Sequence, residues 1–362
     1  MLKKQWNPVT VISCVFCVFA CATYFWFPTL TPVGEIKSFH EMQADAFLSG
    51  QLQLSIEPKP EVKSASNPYD RNLKEFWYWD AVFYKGHYYS YFGPLPALLI
   101  ALGKMLGASF ANPDMVITIV FTCLRLVFGA GVLHRLWQHC RPNAPAWVFA
   151  MSLMALAWCN PVPFLLGRAQ FYEVAIVCAQ AMFLAGLYCD MRASESGGAS
   201  SEWASLSGIA YGACVASRAS LLPAVLIVSV AAILIRAGLP KAARIKHAVA
   251  MWTPLICTAL LLGAMNYFRF GDPFESGQRY MFTVEMPSPS FQLKYVFGNI
   301  YNYFFRPLIF VDHFPYLSLT DFTAWPFVWP CPNGTYLEPM GRLAAPRLSS
   351  PSGHPPSGIS QE

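Results

Sequence analysis

Four stretches of this 362-residue chain place groups capable of acid–base or anion chemistry beside apolar runs. Gly34-Glu35 follows the first run directly. A carboxylate there can accept a proton from a substrate hydroxyl or amine, and it can equally be a solvated loop acid. The second stretch opens at Trp77-Tyr78-Trp79-Asp80 and continues through His87 to Tyr91-Phe92-Gly93-Pro94. Its rings suit the interfacial belt of a membrane protein or the apolar face of a sugar, and Asp80 and His87 are polar groups that a belt does not require. The third is Gly167-Arg168-Ala169-Gln170-Phe171-Tyr172-Glu173, between two apolar runs. Glu173 opens the second of these, where a helix N-terminus favours a carboxylate, with Arg168 as an ion-pair partner. Arg218, between two further runs, is placed either to snorkel to the surface or to bind a phosphate. The fourth, Asn266 to Tyr280, carries Arg269, Asp272, Glu275 and Arg279. It reads as an interfacial loop closed by internal ion pairs or as a clamp, because the planar guanidinium fork matches phosphate oxygens.

Whatever positions these groups is dissolved in lipid. Hydrophobic residues make up 55% of the chain and charged ones 12%, about half the roughly 25% of a soluble domain. Mean hydropathy is +0.37. A set of water-facing domains is therefore excluded, and so is disorder over most of the length. The net charge of +5 is modest and its basic residues are scattered, which gives no stripe for nucleic acid. Most cysteines fall in apolar runs, where the thiol behaves as a small hydrophobe, and none has the spacing of a zinc site. No phosphate-binding loop of the ATPase type occurs.

A bilayer core of about 30 Å takes roughly 20 apolar residues in helix. Val9 to Phe27 is the first span; it continues past the small residues Ala20-Cys21-Ala22, which favours a signal anchor over a cleaved signal, and Lys3 and Lys4 set the N-terminus inside. Residues 31–90 form a long outer loop, within which Ser38 and Glu41 have capping-box spacing for a flat helix that Gly50 can end. Gly93 to Gly107 is apolar but short. Counting it as a span would put His134, Arg135, His139 and Arg141 outside, so it reads as a surface helix. Spans then follow at Met115–Leu136, Ala146–Leu166, Tyr172–Cys189, Trp203–Ser217, Ala219–Ile235 and Ala248–Tyr267, with a further span or interfacial helix near Val296–Val311. Arg236, Lys241, Arg244 and Lys246 mark the strongest inner loop. The expected fold is an all-α membrane protein, a polytopic bundle of about seven or eight helices with surface helices on a long outer loop. Its expected divisions are an anchor (1–30), a first extracytoplasmic loop (31–110), a membrane bundle (111–315) and an outer segment with a tail (316–362). From Gly341 that tail is rich in Ser, Pro and Gly and reads as disordered, the expected ending of a truncated or frame-shifted product.

A first span, an acid just outside it, a long outer loop with surface helices, and a second acid after a Gly-Arg turn together resemble the GT-C superfamily of integral-membrane glycosyltransferases. Tyr88-Tyr89-Ser90-Tyr91-Phe92-Gly93-Pro94 is similar to its surface-helix segment, and Asn266 to Tyr280 to a segment of its bacterial members. The closer likeness is to bacterial relatives of the dolichyl-phosphate-mannose protein mannosyltransferases and to the lipid A aminoarabinose transferases. The resemblance implies transfer of a sugar from a polyprenyl-phosphate donor to a lipid or glycan acceptor, at the outer face of a bacterial inner membrane and among membrane lipids. It implies Glu35 and Glu173 as catalytic acids, a position for a metal or phosphate ligand at His87, and a divalent metal ion as an optional cofactor. Arg168, Arg218 and Arg269 are the candidates for the leaving phosphate, with Asp80 and Tyr172 completing the substrate site. Two other classes stay open, a flippase for lipid-linked sugars and a non-catalytic membrane protein. Arg125 alone interrupts the spans, which argues against a transport path.

Overall fold

The computed structural model describes residues 8–26, 38–160, 162–167, 169–195, 200–282, 308–310 and 317–319. The chain divides into two compact units, residues 1–284 and 285–362. In the second, β3 (Leu308–Phe310) pairs antiparallel with β4 (Leu317–Leu319). The helix expected near Val296–Val311 is thus a strand at Leu308–Phe310, and the remainder of that stretch lies outside the described residues.

The first unit is helical. Its order is α1 (Pro8–Trp26), α2 (Phe39–Leu48), α3 (Pro60–Lys63), a hairpin of β1 (Val82–Tyr84) and β2 (His87–Tyr89), α4 (Leu95–Met105), α5 (Pro113–Cys140), α6 (Ala146–Trp158), α7 (Val162–Gly167), α8 (Phe171–Glu195), α9 (Ser201–Ser217), α10 (Leu222–Ile235) and α11 (Lys241–Phe270). Among the described residues, five helical segments are long and apolar enough to cross a membrane: α1, α5, α8, the α10 segment and α11.

Side-chain contacts fix the direction of the first helices. Ala20 and Tyr24 of α1 pack beside Ile119 of α5, whereas Val9 and Ile12 pack beside Leu133 and Trp137. The two helices are therefore antiparallel, and the chain between them returns to the end of the bundle from which it left. Helix α4 lies in that return and cannot have crossed; its 11 residues span only about 16 Å. It is strapped to α2 instead. Lys104 on α4 reaches Glu41 at 3.2 Å and Asp45 at 2.5 Å, both on α2. The Ser38 hydroxyl caps α2 by accepting from the Glu41 N–H at 3.1 Å. Gly50, at φ 69°, ends it, with the Gln51 N–H donating to Ala46 and the Gly50 N–H to Phe47 in a left-handed C-terminal cap.

The span expected over Ala146–Leu166 is broken into α6 and α7. Pro161 follows Asn160 in the sequence and has no N–H to give the Ala157 carbonyl. That carbonyl accepts the Tyr24 hydroxyl at 2.9 Å, while Asn160 Nδ2 and Arg125 Nη1 donate to the Leu156 carbonyl at 2.6 and 3.4 Å. The interrupted backbone is thus satisfied by neighbouring helices, as lipid requires. Arg125, the unexpected charge of α5, has a structural partner at this break.

The most extensive helix pairings are α8 with α9, α5 with α8, and α9 with α11. A Cβ on Gly208 of α9 would overlap the Met251 carbonyl of α11, and one on Gly212 would crowd Thr258. Small residues four apart let the two backbones meet, the usual means of association where lipid supplies no hydrophobic drive. At the end where α8 and α10 finish and α11 begins, Arg236 pairs with Asp190 at 2.9 Å, His247 lies 3.2 Å from the same carboxylate, and Arg135 meets Glu195 at 3.0 Å. Both basic clusters assigned to inner loops therefore occupy one end of the bundle. The outer-loop segments occupy the other.

Candidate functional site

The hairpin organises the loop end. Its turn residues Lys85 and Gly86 both have positive φ, 47° and 82°, the geometry that matches strand twist in a two-residue connection. Alternation then divides its side chains between two faces. Phe83 and Tyr88 enter a cluster with Phe39, Trp77 and Phe282, in which the Trp77 and Phe282 rings stack 4.8 Å apart. Val82 and Tyr89 face Phe270. Most of the aromatic run is consequently the core of the loop itself, and Trp79, 46% exposed, is the ring of that run left open.

Segments far apart in sequence meet on this hairpin. Backbone bonds join Phe282 N–H to the Ala81 carbonyl at 2.9 Å and Asp80 N–H to the Phe282 carbonyl at 3.1 Å. The Tyr84 hydroxyl donates to the Phe270 carbonyl at 3.1 Å. Arg269, buried at the end of α11, donates to the Ser90 carbonyl, with the Tyr89 ring 5.5 Å from its guanidinium. In the loop that follows, Asp272 and Glu275 accept from the Phe274 and Gly277 N–H groups at 2.9 and 2.8 Å. The fourth stretch is thus tied to the second, and its acids shape turns.

Beyond the hairpin, Gly93 lies so close to the C-terminus of α9 that a Cβ would overlap the Ala216 carbonyl. This contact brings Tyr91 beside both α8 and α9. The Tyr91 hydroxyl donates to that of Tyr172, on the first turn of α8, at 2.8 Å, and Tyr172 hydrogen-bonds the Asp80 carboxyl. Arg218, half-buried just after α9, is close enough for its charge to act on Tyr91. It has no ion-pair partner among the described residues. Burial raises the Asp80 carboxyl above the ordinary carboxylate range, and the Tyr172 hydrogen bond opposes that shift only in part. Asp80 also has a left-handed backbone, φ 62°, uncommon for any residue but glycine.

Asp80, Tyr172 and Arg218 are therefore brought together, with Tyr91 between them. Arg269 holds the loop from beneath. His87 stands exposed at the tip of the hairpin. Glu173, one residue after Tyr172, is only 4% exposed; it occupies the first turn of α8, where the helix dipole favours its charge. Glu35 and Arg168 lie outside the described residues. Two buried groups at this end carried no sequence signal. Asp114, in the first turn of α5, faces Ser38 and Glu41. His40 of α2 sits 3.0 Å from the Phe171 carbonyl, and burial lowers its pKa to about 4. Among the described residues no group of three or more His, Cys, Asp or Glu could hold a metal ion.

The fold is that of a multi-pass helical membrane protein whose loop end gathers an acid, two phenols and a cation. Comparison of the chain with protein-family models, curated proteins and solved structures returns no match.

Proposed function

We propose that the protein is a membrane glycosyltransferase that moves a sugar from a polyprenyl-phosphate donor to a lipid or glycan acceptor at the extracytoplasmic face. The observation that carries this reading is the convergence of Asp80, Tyr91 and Tyr172 beside Arg218 at a membrane end of the bundle. A half-buried arginine without an acid partner among the described residues suits a phosphate. A desolvated carboxyl within a hydrogen-bonded chain suits proton transfer. In the proposed reaction the acceptor oxygen or nitrogen bonds to the anomeric carbon as the bond from that carbon to the phosphate oxygen breaks. The acceptor proton passes to a carboxylate, and the polyprenyl phosphate leaves with both bonding electrons. Arg218, together with Arg168, steadies the charge that develops on it. Glu35 and Glu173 are the further acids of the proposed site, and Arg269 acts by holding the loop in place.

The test is release of polyprenyl phosphate from a polyprenyl-phosphate sugar by the full chain in lipid. Arg218→Ala should slow release by about 10²–10³-fold, and Glu35→Gln and Asp80→Asn by about 10²–10⁴-fold, with insertion unchanged. Wild-type rates in all three variants would remove this site from any transfer reaction.

A further inference from the structure

The basic end of the bundle carries more positive charge than its own acids match, and none of it serves the transfer proposed for the loop end. Asp190 is taken by Arg236 and His247, and Glu195 by Arg135 and Arg192. Lys241, Arg244 and Lys246, in the first two turns of α11, form no ion pair among the described residues. The sequence holds no Asp or Glu between Glu202 and Asp272. Glu202, in the first turn of α9, is exposed and also without an ion pair among the described residues, so it lowers this charge without cancelling it. Spacing sets what the charge can hold. Steps of about 100° per residue put Lys241 and Arg244 on one side of the helix, with Lys246 nearly opposite Arg244. Ile245 and Val249 continue the Lys241 row at four-residue intervals, and Ile256 and Leu260 extend it; all four are exposed. From Ile245 to Leu260 that row is about 22 Å long, more than half of a hydrocarbon core of about 30 Å. An apolar row headed by two unpaired cations has the outline of a phospholipid, with the chain along the helix and the phosphate at its head.

We propose that Lys241 and Arg244 bind the phosphate of an anionic glycerophospholipid, phosphatidylglycerol in chemical class, with one acyl chain lying along Ile245, Val249 and Ile256. Arg244 offers the phosphate oxygens a planar fork, and Lys241 adds a point charge. The choice of headgroup follows from the same two cations. They repel the ammonium of phosphatidylethanolamine and that of phosphatidylcholine, whereas phosphatidylglycerol brings a negative charge and no cation. Lys246, on the far side of the helix, takes no part.

Native mass spectrometry of the full chain, loaded in turn with phosphatidylglycerol, phosphatidylethanolamine and phosphatidylcholine of identical acyl chains, tests this. One phosphatidylglycerol should be retained at least about tenfold more than either competitor, since each basic residue at an anionic surface contributes roughly fivefold. Lys241→Gln and Arg244→Gln should each cost about fivefold, and the two together should level the three lipids. Lys246→Gln removes the same charge from the same two turns and should leave the preference in place, which separates a site from the diffuse attraction of a basic end. Equal retention of the three lipids by the unmodified chain overturns the proposal, and so does an equal loss in all three single variants. Neither cation of the site is buried, and the close contacts of α11 with Gly208 and Gly212 lie further along the helix, so the melting temperature should not change. The comparison of lipids on the unmodified chain decides the matter if a variant fails to fold.

Discussion

Asp80 combines a backbone that most residues avoid, a partly buried carboxyl and a phenol partner. Its raised pKa fixes the sign of a stability effect. The folded state holds this proton at pH values where the unfolded chain has released it, so stability falls as pH rises from the ordinary carboxylate value through the raised one. Asp80→Asn removes that dependence, and Asn tolerates positive φ about as well as Asp. The variant should therefore melt at a higher temperature than the parent at pH 7.5, with the difference vanishing at pH 3.5, while losing transfer. A lower melting temperature at pH 7.5 would show that the carboxylate is a structural anchor. Asp80 was legible as an odd polar group within an aromatic run. Its partners were not, because Tyr172 and Arg218 are 92 and 138 positions further along the chain and only the packing of α8 and α9 against the hairpin brings them near. His40 and Asp114 show the same limit: nothing in their flanking residues marks them, and their burial follows from which face α2 and α5 turn inward.

At the scale of elements, apolar length was a good guide to the spans and a poor one to their continuity. Helix α8 runs past its expected Cys189 end to Glu195, because Asp190 and Glu195 find basic partners on other helices and need not stop at the lipid boundary. The Asn160-Pro161 break was written in the sequence, yet a hydropathy window averages over it. The hairpin left only a partial signal, the turn pair Lys85-Gly86 between Val82-Phe83-Tyr84 and His87-Tyr88-Tyr89, because adjacent aromatic residues on both arms hide the alternation that marks a strand. Gly93 is a joint between these elements, since a Cβ there would overlap the backbone at the end of α9. Gly93→Ala would push the backbone away from Ala216 at a cost of about 1–3 kcal/mol. A fall in melting temperature should accompany loss of transfer, and Gly93→Ser should behave no better. If Gly93→Ala melts and turns over like the parent, the loop does not depend on this contact to position Tyr91 against Tyr172.

For the molecule as a whole, the division of charge between the two ends of the bundle predicts an orientation in the membrane. One end collects Arg135, Arg192 and Arg236 with their acids, and Lys241, Arg244 and Lys246 begin α11 there. The other carries the outer-loop hairpin, α2 with α4, and Arg269 tied to Ser90. Because α1 and α5 are antiparallel, Lys3 and Lys4 precede a helix that starts at the basic end. Positive residues near span ends stay in the cytoplasm, so the expected outcome is that end inside and the hairpin outside. Single cysteines at Lys63, Lys241 and Arg279, placed one at a time in a cysteine-free background, make the assignment measurable. A membrane-impermeant maleimide applied to intact cells should label positions 63 and 279 and reach 241 only after the membrane is opened. The labelling of 63 and 279 together is the informative part, since it also requires that α4 fail to cross. Labelling of 279 without 63 would mean that the chain passes through the bilayer between them one more time than the α1–α5 packing allows. Labelling of 241 in intact cells would turn the bundle over and place Asp80 and Arg218 on the side away from any extracytoplasmic acceptor.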